Sequence, residues 1–154
     1  MKRMVFVVVV VFLMSSEYPY RQDTALQPAR NRDFRTVYEM ASAVTGAPER
    51  ALVAIAFAES SLGVNVDHPN PVDRGWFGLH EDPEYRAERV AKYGEYNADI
   101  PADAAIITGR LYTHAMSVFH DEDKAISAHH RGITWVIKNG VDHEYVSRAK
   151  SIFN

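Results

Sequence analysis

The chain has 154 residues, 47% hydrophobic and 24% charged, with no cysteine. That length suits one domain with an ordinary core, and the composition excludes wholesale disorder, collagen-like repeats and a multi-span membrane protein. The missing cysteine excludes disulfides, thiolate metal sites, a cysteine nucleophile and a lipid-modified cysteine together, and a net charge of −3 gives no general grip on nucleic acid.

Residues 1–16 read as a signal peptide or N-terminal anchor. Lys2 and Arg3 supply a basic start, Met4 to Met14 is an unbroken apolar run, and Ser15 and Ser16 lead into the polar stretch EYPYRQD. As a helix this run rises only about 16 Å, against a hydrocarbon core of roughly 30 Å, too short for a full span. Leu13 or Met14 stands where a cleavage site requires a small residue. The expectation is an exported protein, periplasmic, envelope-associated or secreted, whose first segment leaves or stays as a membrane tether. Residues 17–33, polar and holding Pro19 and Pro28, are expected to form a flexible lead-in.

Residues 34–154 read as one mainly helical domain. The first helix is expected over Phe34–Val44, with Phe34, Val37, Met40, Ala41 and Val44 on its apolar face and Gly46 as its stop. Pro48 opens the next, which carries ALVAIAFA over Ala51–Ala58. Four of these eight residues are alanine and only Val53 and Ile55 are β-branched, so helix is favoured over strand. A helix apolar on all sides belongs at the centre of a domain. Val64–Asp82, with Pro69, Pro71, Gly75 and Gly78, reads as a loop or small hairpin. Helices are then expected over Pro83–Tyr93, Pro101–Phe119, Asp123–His130, Thr134–Asn139 and His143–Phe153, about seven in all. Ala104, Ile107, Leu111, Ala115 and Val118 form the expected inner face of the longest.

Glu59 is the first candidate for chemistry. It ends the most apolar helix, where desolvation and the negative end of the helix dipole both disfavour a charged carboxylate. The serines and glycine that follow open the chain, so the side chain is expected at the edge of a cleft. A protonated carboxylic acid there is what a glycosidase acid requires.

Further motifs follow in order. Glu59-Ser60 closes the buried helix, Gly75-Trp76-Phe77-Gly78-Leu79 comes about sixteen residues later, AISAHHRG spans Ala125–Gly132, and Glu144-Tyr145-Val146 opens the last helix. This succession resembles the soluble lytic transglycosylase family of lysozyme-like folds, over roughly Phe34 to Phe153. In that family Glu-Ser ends a central helix, and Gly-Leu-Met-Gln, Ala-Tyr-Asn-Ala-Gly and Tyr-Val follow. The resemblance implies a lysozyme-like domain cleaving the glycan strands of peptidoglycan, with Glu59 as general acid and then base. It implies substrate contacts from Ser60, Gly78, Leu79, His129, His130 and Tyr145. If water attacks instead, the product is a lysozyme's, and Asp67 or Asp73 would position that water.

The chain departs from the family pattern at several residues. His80-Glu81 replaces Met-Gln, His129-His130 replaces Tyr-Asn, and Arg131 stands where a small residue is usual. These changes define the alternative expectation, a catalytically weakened module that binds cell-wall glycan or scaffolds an envelope complex. Trp76, beside Gly75, is the aromatic expected to stack on sugar, whereas Phe77 and Trp135 are expected in the core. No cofactor or metal is expected. The chain has no His-Glu-x-x-His, adjacent helical His129 and His130 diverge by about 100°, and His120–Asp123 reads as an acidic helix start.

Overall fold

The computed structural model describes residues 33–154. The expected signal and the lead-in as far as residue 32 lie outside the described residues, as does the side chain of Phe34; Asp33 already belongs to the first helix. The elements are α1 (Asp33–Thr45), α2 (Glu49–Ser60), β1 (Asp73–Arg74), β2 (Leu79–His80), α3 (Pro83–Tyr93), α4 (Pro101–Phe119), α5 (Glu122–Arg131), α6 (Ile133–Asn139) and α7 (His143–Lys150), closed by a 3-10 turn over Ser151–Phe153. The described chain is thus mainly helical. The insert after α2 holds a minimal antiparallel hairpin, pairing Asp73 with His80 and Arg74 with Leu79.

Local chemistry explains the boundaries. Asp82, Asp121 and Asp142 each precede a helix and accept the backbone N–H of Glu84, Lys124 and Tyr145 respectively. Pro83 and Pro101 occupy first turns, where their missing N–H costs nothing. Lys150, in the last turn of α7, reaches back to Asp123 and Glu122 at the start of α5.

The core is built around α2. Ala51, Leu52, Ala54, Ile55 and Ala56 are all at most 2% exposed, and α1, α4, α5 and α7 all pack against this helix. Small alanines let the neighbours approach closely, while burying Leu52 and Ile55 stabilises the fold by about 1.5–3 kcal/mol each.

The packing of three helices differs from the expected faces. On α1, Tyr38 and Ala41 are buried while Met40 and Val44 are exposed. Tyr38 turns inward to meet the Phe77 ring edge-on at 6.1 Å, and Thr45 lies so close to Gly109 of α4 that a Cβ there would meet its side chain. On α4 the buried face is broader than expected, taking in Thr108, Gly109 and Tyr112, while Val118 is exposed. On α6 only Val136 is buried. Trp135, expected in the core, is half-buried with the Arg131 guanidinium 5.5 Å from its ring centre, because a seven-residue surface helix has only one inner row to offer.

The end of α2 is unusual. Ser61, Leu62 and Gly63 all take positive φ, at 51°, 62° and 81°. This conformation is costly for the first two and is held by hydrogen bonds from Ser61 N–H to Phe57 O and from Leu62 N–H to Ala56 O. The helix therefore stops sharply just beyond Glu59 and Ser60, and the chain turns into the insert.

Candidate active site

Glu59 is half-buried at the last turn of α2. Its Oε1 accepts a hydrogen bond from the Tyr145 hydroxyl at 2.6 Å, joining α2 to α7. Tyr145 is only 2% exposed. Burial, then the nearby Glu59 charge, pushes its phenol well above the usual tyrosine range, so the hydroxyl keeps its proton and donates a hydrogen bond to the carboxyl.

Gly78 bounds the same carboxyl from the hairpin. A Cβ on Gly78 would stand 3.0 Å from the Glu59 carboxyl carbon and closer still to Oε2, and its φ of +54° is also one that glycine tolerates best. The carboxyl is thus oriented by a phenol at one oxygen and by bare backbone at the other. Among the described residues, no donor reaches Oε2.

Ser60 and Leu79, for which the resemblance implied substrate contacts, both occupy buried positions in the packing of the insert. Ser60 is 2% exposed and its hydroxyl is fully engaged, donating to Trp76 O at 2.7 Å and accepting from Gly63 N–H at 2.8 Å. It stitches the insert to the end of α2. Leu79 is 1% exposed and anchors the hairpin in the core beside fully buried Phe77. Both positions face inward because the hairpin is too short to stand off from the helices beneath it.

Trp76 is half-buried, its indole lying where Gly63 has no side chain; a Cβ on Gly63 would fall 2.5 Å from that ring. Gly75 is needed for a comparable reason, since a Cβ there would collide with the Ala98 carbonyl oxygen.

The two adjacent histidines diverge as helical geometry requires. His129 turns inward, with Nε2 2.7 Å from the Phe77 carbonyl oxygen. A carbonyl only accepts, so Nε2 carries the proton and Nδ1 holds a lone pair. Burial lowers the His129 pKa below the usual histidine value, opposed by the Glu59 charge and the Phe77 hydrogen bond, so the ring stays neutral near neutral pH. His130 turns outward. Its ring stacks on Tyr145, with centroids 4.4 Å apart and planes 12° from parallel, and its Nδ1 is 3.1 Å from Asp142 Oδ2.

Asp142 is the residue that the sequence reading missed. It caps α7 through Tyr145 N–H and accepts the Arg131 guanidinium at 2.8 Å, so it ties α5 to the helix that carries Tyr145. The Arg131 hydrogen bond first, then the Tyr145 N–H and His130, outweigh burial and bring its pKa to about 2. The available signal was an aspartate immediately before a helical pattern, three residues ahead of Tyr145, which is a capping position.

His80 and Glu81 serve the insert. His80 Nδ1 is 2.7 Å from Asp73 Oδ1, across the hairpin. Glu81 accepts from Arg89 at 2.7 Å and from the Tyr96 hydroxyl at 2.6 Å, fastening the hairpin to α3 and the segment after it. Asp73 is therefore occupied by His80 and by Asn70, and Asp67 is exposed in the loop. Among the described residues, no group of three or more His, Asp or Glu side chains is placed to hold a metal ion.

The site thus consists of one oriented carboxyl, a protonated phenol and two imidazoles held by other partners. No family model, characterised protein or solved structure matches the chain.

Proposed function

We propose that the protein is a lysozyme-like lytic transglycosylase acting on peptidoglycan, with Glu59 as its acid and base. The observation that carries this reading is the convergence of Glu59, Gly78 and Tyr145 on one carboxyl, from three segments far apart in the chain. These are the residues through which the sequence resembles that family. A single carboxyl suffices for the chemistry. Glu59 gives its proton to the oxygen linking N-acetylmuramic acid to N-acetylglucosamine as the C1–O bond breaks. The muramyl 6-hydroxyl then attacks C1 and returns its proton to Glu59, closing a 1,6-anhydro ring. Tyr145 steadies the carboxylate between the two steps by its hydrogen bond to Oε1.

A second reading is favoured by the histidines. His129 Nε2 is committed to the Phe77 carbonyl and His130 Nδ1 to Asp142, so these two nitrogens do not donate to a sugar at Glu59 as a free tyrosine or asparagine would. On that reading the domain binds wall glycan without cutting it. Incubating purified peptidoglycan with the protein and with Glu59→Gln, followed by mass spectrometry of soluble fragments, separates the two. Anhydro-ended fragments from the unmodified protein alone support the transglycosylase, and reducing ends indicate hydrolysis. No fragments from either, with the protein bound to the sacculi, supports the binding module.

A further inference from the structure

A cavity of about 580 Å³ opens between α3, α4, α5 and the start of α6. That volume suits a ligand of drug or disaccharide size. The walls are largely apolar, with Leu111, Ala115 and Ile133 among them, and Glu59 is not one of the lining residues. Two wall residues, Tyr93 and His129, each carry a buried polar atom with no hydrogen-bond partner: the Tyr93 hydroxyl and His129 Nδ1. Buried polar atoms are ordinarily paired, so an orphan at a cavity wall indicates a group that a ligand would satisfy. The two are chemically complementary. His129 Nε2 is committed to the Phe77 carbonyl, which leaves Nδ1 as an acceptor, whereas the Tyr93 phenol is free to donate.

We propose that this cavity binds a secondary amide, whose N–H is taken by His129 Nδ1 and whose oxygen is taken by the Tyr93 hydroxyl. Both atoms are shielded from solvent in this structure, so binding requires each ring to turn its orphan atom towards the cavity, where the apolar lining receives the carbon group attached to the amide. Tyr93 on α3 and His129 on α5 offer one donor and one acceptor from different walls of the cavity, which suits an acetamido group or a peptide bond equally well, since a trans amide presents its N–H and C=O at opposite edges. The proposal goes beyond the reading of Glu59, because the cavity is tested by binding and not by turnover.

The test follows the imidazole nitrogens of His129 by NMR in the whole chain, titrated separately with the N-acetylglucosamine trimer, its de-N-acetylated counterpart and an N-acetyl dipeptide amide. A saturable shift of Nδ1 is expected with an amide-bearing probe and not with the de-N-acetylated sugar. Which probe produces the shift assigns the amide to sugar or to peptide. Tyr93→Phe, which keeps the ring and its packing, is expected to weaken binding about tenfold, the loss of one hydrogen bond. Ala91→Trp, at an exposed position on the cavity wall, is expected to abolish binding by blocking entry. No shift with any probe, or equal shifts with and without the acetyl groups, overturns the proposal. Binding retained by Glu59→Gln, or by a protein that cuts no peptidoglycan, leaves this cavity standing while the catalytic reading falls; cutting without any shift at His129 does the reverse.

Discussion

Tyr145 lies eighty-six residues after Glu59 in the chain, yet its hydroxyl is 2.6 Å from Glu59 Oε1. The bond is made between a nearly inaccessible phenol and the last turn of the central helix, so its geometry is fixed by the core and not by solvent. Removing it tests the role assigned to the phenol. Tyr145→Phe keeps the ring and its stacking with His130, and is expected to lower kcat for glycan release by about 10- to 100-fold. A hydrogen bond to a charged group contributes about 1.5–3 kcal/mol. KM is expected to change little, since the phenol acts on Glu59; steady-state kinetics on soluble glycan strands reads the split.

Gly78 is expected to tolerate no side chain. Gly78→Ala puts a methyl group against the Glu59 carboxyl at a positive φ. The strain alone is expected to cost about 1–2 kcal/mol of stability, measured by denaturant unfolding. Activity is expected to fall further than stability, because the atoms the methyl group meets first are those of the Glu59 carboxyl.

Ser60→Ala separates the structural role from substrate binding. Losing the hydroxyl removes the Ser60 hydrogen bonds with Gly63 N–H and Trp76 C=O, at an expected cost of about 1–3 kcal/mol in unfolding free energy. If Ser60 held substrate instead, KM would rise while the unfolding midpoint stayed put.

His129 makes stability depend on pH. Its pKa is lower in the folded protein than the usual 6.5, chiefly through burial, so the unfolded chain binds a proton more readily. Its contribution is therefore complete above pH 6.5 and is lost as the pH falls below that value towards the folded pKa. The unfolding temperature is expected to drop between pH 7.5 and 5, and to drop less in His129→Gln, whose amide still donates to the Phe77 carbonyl. Equal losses in both proteins would assign the effect to other histidines.

Much of the helical plan was legible in the sequence because caps and stops are local. Pro83, Pro101, Gly94, Gly132 and Gly140 mark ends that the structure keeps. The inner faces were less legible, since which stripe of α1 turns inward is decided by Phe77 and Gly109, far along the chain. The apolar run of α2 placed Glu59 at the end of a buried helix. It carried no information on Ser60, whose burial follows from a loop that returns sixteen residues later to meet its hydroxyl. The pairing of Asp142 with Arg131 was hidden for a similar reason: it depends on the angle between α5 and α7, and no periodicity encodes that angle.

The central claim is that Glu59 is the proton donor and acceptor for glycosidic cleavage. The most direct measurement is the initial rate of soluble fragment release from purified peptidoglycan by the protein and by Glu59→Gln, with folding of both verified by circular dichroism. Glu59→Gln keeps the side-chain shape but cannot exchange the proton, so the account predicts a rate at least about 100-fold lower. Equal release by the two proteins would contradict it.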